Sequence, residues 1–592
     1  MKYSMNFGKP TSGGAPRKAP GRFRIAVLGD FSGRANRGEL AKGAELAKRK
    51  PIKLDVDNIE DVLQRFGTTL NLPVGAGGSV EFKPASVDDL HPDQLYGNLG
   101  IFAELSSLRR RLENPKTAKS AADEVLGWEG ADEAVGAAKR RSRASALRVD
   151  AKLSDFARLM GAPTVDAPEP TPVDELVQRV VGPFVVAAGN PDQKALVGLV
   201  DRALTATMNE VLHHPDFQAL EAAWRSLDFL VRRIETDTSL HLVVFDVTAE
   251  EFAADLSAAQ ALDETGLYKL LVEQPALDAQ QGPFSLIVAN YAFEMTPPHA
   301  ELLGRAAHLA AAAQAPLIAA IGNDCIDVKL DDLHPLVAEA WDALRALPQA
   351  GFLGLALPRF LLRAPYGETG ESIDAFDYEE FDRAHGLRGL LWGNPSILAA
   401  VLLAGQFRQQ GMKMKPGGVL ALDDMAYFYF EDDDGEQIAF PCAERLLSEK
   451  RAAHVMKQNF IPVLALKGRP EVRLGGFGSL AGPVLLGPWS SPDQLKLPVA
   501  GAAAPAATPE PGPAVGGEVE EAAATLPEST SEGELDALLA ELEATPAAPA
   551  AAESADADLD ALLAELEAST NPPPAAEGEL DPELAALLAD LE

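Results

Sequence analysis

The sequence predicts an α/β protein: a small α/β domain, a helical linker, a larger α/β domain and an acidic tail with no fold of its own. Three observations lead there. From Leu240 to Leu357 short apolar runs alternate with segments of helical periodicity, the pattern of a sheet that is at least partly parallel. Ahead of that block, strand-like runs at Phe23 to Leu28, Ile52 to Val56 and Val80 to Phe82 are interleaved with helix starts. After Pro488 the composition turns to Ala, Pro, Gly and Glu, which cannot bury a core. The expected divisions are a disordered N-terminus at 1–21, a small domain at 22–114, a helical linker at 115–195, a large domain at 196–490 and a disordered acidic tail at 491–592.

The elements follow in order. Met1 to Gly21 is rich in Gly, Pro, Ser and Lys. Phe23 to Leu28 reads as a strand, and Ile52 to Val56 alternates apolar with polar. Asp57 is placed to cap a helix with Glu60 at the capping-box position, and Ser86 begins another capped segment. Leu95 to Leu112 reads as one helix whose Arg109, Arg110 and Arg111 suit a negative C-terminal dipole. The joining region holds helical pieces, of which Val173 to Val181 is among the more apolar. Leu196, Val200, Leu204, Met208 and Val211 then recur at helical spacing, and His213-His214-Pro215 breaks the run. A second helix starts at Asp216, with Phe217, Leu220, Trp224, Leu227, Val231 and Ile234 on one stripe. Strands at Leu240 to Val247, Phe284 to Ala289, Leu317 to Ile321 and Phe352 to Leu357 alternate with helices at Thr248, His299 to Ala313 and Ala338 to Leu347. Tyr427 to Phe430 and Gln437 to Phe440 flank an acidic turn and read as a hairpin.

The stretch from Phe352 to Gly405 organises the larger domain. Its opening strand is apolar and uncharged, and Pro358 ends the ladder. Arg359, Arg363 and Tyr366 follow among apolar residues; Trp392 and Asn394 mark a turn into an apolar helix from Ser396 to Ala404. Arginines in such company need partners, and Asp374, Asp377, Glu379 and Glu380 come soon after. Trp224, Arg359, Arg363, Tyr366, Trp392 and Asn394 are therefore expected to be structural core residues.

Composition sets further bounds. A chain of 592 residues implies roughly three to four structural units. Cys325 and Cys442, both in apolar surroundings, argue for a reducing compartment, and no run approaches the ~18 apolar residues that span a bilayer. A cytoplasmic location without membrane insertion is expected. The net charge is −36, but residues 501–592 hold 22 acids and no Lys, Arg or His, so the first 500 residues carry −36 + 22 = −14. Phosphate would repel so acidic a chain, so nucleic acid is not expected as a partner; the basic cluster Lys139 to Arg143 reads as solvated linker.

Chemistry-bearing patterns are sparse. Ala26 to Arg34, AVLGDFSGR, places Gly29 and Gly33 after a strand but has neither a dinucleotide fingerprint nor a Walker A Gly-Lys-Ser/Thr. Gly-rich Leu474 to Gly482 lacks the strand-then-helix setting. His213 and His214 are adjacent and precede a proline, which suits a cap and turn; metal ligands on a helix face are spaced three or four apart. The acidic run Glu431 to Asp434 lacks the alternating ligands of a calcium loop. No catalytic residue, cofactor or metal is assigned.

The order of these blocks carries a resemblance. HHPDFQALEAAWRSLDFLV, APLIAA, LALPRFLLRAPYG, LWGN, FPCAE and NFIPVLALKG, within Leu196 to Leu480, resemble the large contractile-sheath subunit of the type VI secretion system. RIAVLGDFSGR, KPIKLDVDNIEDVLQRF and VEFKPASVDDLHPDQLY, within Arg22 to Asn114, resemble the small subunit of the same sheath. The resemblance implies a structural, non-enzymatic part of a contractile injection machine, two subunits fused head to tail. It implies sheath, tube or baseplate partners, homo-oligomerisation, a possible recycling unfoldase ATPase, and pairing of the small subunit's terminal helix with the large subunit's leading helices. The family's large subunit continues into a further domain, in whose place this sequence has its acidic tail.

That tail repeats one motif. Leu535, Leu538, Leu539 and Leu542, then Leu559, Leu562, Leu563 and Leu566, then Leu584, Leu587, Leu588 and Leu591 each line one helix face, with acids opposite. They read as three partner-binding peptides, which allows an adaptor that docks on the machine and recruits a multivalent partner.

Overall fold

The computed structural model describes residues 7, 21–74, 78–114, 116–126, 193–278, 280–328, 333–368, 370–381, 386–431, 437–466 and 468–495. The chain divides into one compact unit of residues 1–430 with 439–519 and another of 431–438 with 520–592. Of the latter only Glu431, Gln437 and Ile438 are described. Val173 to Val181, the basic cluster at 139–143 and all three leucine repeats lie outside the described residues.

The strands are β1 (Phe23–Gly29), β2 (Ile52–Leu54), β3 (Leu70–Val74), β4 (Gly78–Phe82), β5 (Leu240–Asp246), β6 (Leu286–Phe293), β7 (Leu317–Ile321), β8 (Leu353–Leu357), β9 (Phe360–Leu361), β10 (Trp392–Gly393), β11 (Ala421–Leu422), β12 (Tyr429–Glu431), β13 (Gln437–Ala439), β14 (Ile461–Ala465) and β15 (Val472–Leu474). The main helices are α1 (Ile59–Phe66), α2 (Pro92–Asn98), α3 (Ile101–Glu113), α4 (Ala118–Leu126), α5 (Gln193–Leu212), α6 (Pro215–Arg233), α7 (Ala249–Ala258), α8 (Pro297–Ala313), α9 (Pro335–Arg345), α10 (Ser396–Gln410) and α11 (Glu449–Lys457).

One sheet of nine strands runs β11-β15-β14-β8-β7-β6-β1-β5-β2. Its middle, from β14 to β5, is parallel, while β2 at one edge and β15 with β11 at the other are antiparallel. The α/β class holds. Both faces are covered, so the central strands are apolar at nearly every position. Phe23, Ile25 and Val27 face a core shared with α6 and α10, whereas Ala26 and Leu28 face one shared with α7, α8 and α9.

Several boundaries differ from the sequence expectation for identifiable reasons. Asn58, not Asp57, precedes α1: its side chain accepts from Asp55 N–H at 2.9 Å and donates to the Lys53 carbonyl at 3.1 Å, closing the turn after β2. The helix expected from Leu95 to Leu112 breaks at Leu99 and Gly100 into α2 and α3. Ser86 does form a capping box with Asp89, and Thr248 another with Glu251. The expected hairpin has strands at β12 and β13, with the Phe440 N–H donating to the Phe428 carbonyl at 2.9 Å.

Candidate functional site

The structural centre is the seam between the N-terminal and central regions of the sequence. Strand β1 inserts between β5 and β6, with Val27 opposite Val244 on one side and Val288 on the other. All seven of its residues are buried. Burying Phe23, Ile25, Val27 and Leu28 contributes on the order of 6–12 kcal/mol at ~1.5–3 each, an upper bound against an extended chain. Even Arg24 is buried: its guanidinium donates to the Gly282 carbonyl and to Gln281 Oε1 at 2.9 Å, and lies 4.4 Å from the Phe284 ring centre. Burial lowers its pKa.

At the C-terminal ends of β1 and β5, where α/β folds commonly bind ligands, the chain supplies its own anions. Asp30 accepts from the backbone N–H groups of Gly33, Arg34 and Ala35, each at 2.9 Å. Asp246 accepts from Phe31 N at 2.9 Å, Ser32 N at 3.2 Å and the Ser32 hydroxyl at 2.7 Å. Its burial raises its pKa despite those bonds. The donors that a phosphate would need in the AVLGDFSGR loop are thus taken by two carboxylates. Nearby, Glu251 is fully buried and paired with Arg34 at 3.1 Å and with Arg49. Burial pushes its pKa up, but the Arg49 bonds and backbone donors outweigh that and bring it below the ordinary value.

A second polar cluster fixes the segment after β9. Arg363, 4% exposed, donates to Glu221 at 2.8 Å and to both oxygens of Glu380 at 2.6 and 2.9 Å, and lies 3.9 Å from the Tyr366 ring centre. Arg225 donates to Glu221 at 2.7 Å and to the Tyr366 hydroxyl at 2.6 Å. Burial pushes the Glu380 carboxyl up, but Arg363 more than offsets it and holds it at about 2. His213 Nε2 lies 3.7 Å from Glu380 Oε1 without a hydrogen bond, whereas His214 Nδ1 accepts from Asp216 N–H at 3.3 Å and caps α6. Among the described residues no group of three or more His, Cys, Asp and Glu side chains is arranged to hold a metal ion.

Three further contacts close the seam. Trp224 is fully buried on α6 and its indole N–H donates to the Phe31 carbonyl at 2.9 Å, 193 residues away in sequence. Helices α3 and α5 pack together, with Arg109 donating to Asp201 at 2.7 Å. Asp93 in α2 accepts from the backbone N–H groups of Asp374 at 3.1 Å and Ala375 at 2.9 Å.

The other sequence-assigned residues fall as follows. Arg359 is the departure: its side chain is 48% exposed and pairs with Glu444, not with the acids that follow it, because it lies at the exposed position in the connection between β8 and β9. Trp392 is buried, with its N–H on the Leu387 carbonyl at 3.2 Å. Asn394 donates to the Tyr291 carbonyl at 2.9 Å and accepts from Ser396 N–H at 3.0 Å, starting α10. Sequence reasoning did not single out Glu221, Asp246, Asp93 or Asp201. Glu221 carried one signal, an acid within an apolar helical stripe and four residues before Arg225.

Known families match on either side of the seam. Residues 8–125 match the VipA family of the type VI secretion system. Residues 194–480 match the tail sheath N-terminal domain family of the VipB or EvpB kind. The sheath protein TssC1 of the type VI secretion system of Pseudomonas aeruginosa is 29% identical over 307 residues, which cover 49% of this chain and 61% of that relative. The chain thus spans about three fifths of the length of this curated relative.

Proposed function

From the premise that this chain is a type VI secretion sheath protein, with small-subunit and large-subunit regions in one polypeptide, we propose that it works as a fused, non-enzymatic sheath protomer in the cytoplasm. The observation that carries this is strand β1, which belongs to the small-subunit region yet lies inside the sheet of the large-subunit region. Copies pack into a polymer with tube and baseplate proteins as neighbours, and work comes from repacking between an extended and a contracted lattice. The recycling unfoldase ATPase is a further partner of this reading. Among the described residues no helix is long and apolar enough to cross a membrane. Negative-stain microscopy of the purified full chain, with co-purification from a native lysate, tests the proposal. Helical tubes or recovered sheath, tube and baseplate proteins are expected; neither appearing would overturn it. A second reading, the adaptor, is favoured by the three leucine repeats. Deleting residues 501–592 while retaining every interaction would remove it.

A further inference from the structure

Helix α8 contains one glycine, Gly304, among seven alanines. Glycine is the poorest helix former after proline, so a buried glycine in the middle of a 17-residue helix has a steric reason. Elsewhere this helix uses alanine where it needs a small side chain. The reason lies near the other end of the sequence. The ring of Phe7, half-buried, rests directly on the backbone of Gly304. A Cβ at position 304 would stand 2.0 Å from Phe7 Cδ1, 2.5 Å from Cε1 and 3.0 Å from Cγ, and no other side chain comes nearer. Carbon atoms pack at about 3.5–4.0 Å, so even the methyl group of alanine would displace the ring.

We infer that α8 carries a docking notch for an aromatic side chain at Gly304, and that the chain fills it with its own Phe7, clasping the segment ahead of β1 to the large-subunit region. The missing Cβ lets the ring approach the helix backbone, and burying phenylalanine is among the larger apolar gains a single side chain makes. Reach permits the contact within one chain. The 14 residues from Phe7 to Gly21 extend to at most roughly 50 Å. Helix α8 packs on β7 and β8, and β7 lies two strands from β1, about 10 Å away. Chain connection then keeps the ring at a high effective concentration beside its notch. The ring is thus retained by its own chain and not offered to a neighbouring copy. The inference concerns a single chain, so it stands or falls separately from the sheath-protomer proposal.

The test is a double-mutant comparison on the full chain. Gly304→Ala improves a helix, so with an idle notch it would raise the denaturant midpoint equally in any background. The clasp predicts otherwise. The midpoint should rise in a Phe7→Ala chain, where no ring is left to eject, and should not rise in the native chain, where the new methyl group ejects it. A single fluorinated phenylalanine at position 7 reports the ring directly. Its fluorine resonance should differ from that of the free peptide 1–20 and should return to the free value in the Gly304→Ala chain. The labelled native chain is then mixed, before any assembly, with about a tenfold excess of unlabelled Gly304→Ala copies. It should keep its shifted resonance, whereas a ring seated in another copy would lose roughly nine-tenths of that signal by mass action. Such a loss, an equal midpoint change in both backgrounds, or an unshifted resonance in the native chain would overturn the inference.

Discussion

Arg363 is the side chain on which the central cluster depends, since it neutralises both Glu221 and Glu380 where neither meets water. Removing it leaves Glu380 buried without its arginine and Glu221 with Arg225 alone, a loss of roughly 3–5 kcal/mol for a broken buried pair. Arg363→Met is therefore expected to lower the denaturant midpoint markedly. Arg359→Met, which removes a half-exposed pair with Glu444, should cost about 0–1 kcal/mol. Equal effects would show that the buried cluster does not carry the load. Acid provides a second probe. Glu380 is held at about 2 against an ordinary 4.5, so its depressed value contributes stability that is complete above 4.5 and is lost as pH falls toward 2. Glu380→Gln should accordingly flatten the acid side of the stability profile between those limits while lowering stability at neutral pH.

At the scale of elements, β1 joins the two regions through two ladders, and the α3–α5 packing adds a helical clasp. Residues 1–126 and 193–592 expressed as separate chains should therefore co-purify. Ala26→Pro should abolish this, because a proline in a central strand removes a donor and its ring disrupts the ladder. Asp201→Ala should only weaken it, since Arg109 is partly exposed and keeps Glu113. A small piece that co-purifies with the proline in place would show that the helices alone hold the joint. The strands themselves were legible, because FRIAVL, LIAAI and LGLAL are apolar runs bounded by turn residues. Their order was not. Val27 meets residues 244 and 288, and nothing local in a strand buried on both faces says which strands flank it. The same holds for polar partners: Glu380 lies 17 residues from Arg363 and was within sight, whereas Glu444 lies 85 from Arg359. The break between α2 and α3 was missed because apolar periodicity runs on through Leu99, whose extended backbone (φ −88°, ψ 122°) interrupts the helix.

For the molecule as a whole, the consequence of fusion is thermodynamic. The described contacts of the seam are all made by residues outside 127–192, so they would form between separate chains too, and the polypeptide link is expected to act by raising the concentration at which the halves meet. A covalent link raises that concentration to roughly the millimolar range, so at micromolar protein it is about a thousandfold higher than for free halves, or about 4 kcal/mol. A protease site inserted between residues 127 and 192 makes this measurable. After cleavage the halves are expected to stay together, because β1 remains buried between β5 and β6. Their unfolding midpoint should now fall on dilution, by mass action, whereas that of the uncut chain stays fixed. If cleaved and uncut chains unfold at the same midpoint at every concentration, the link contributes nothing to the seam, and the fusion must serve the packing of copies and not the union of the halves.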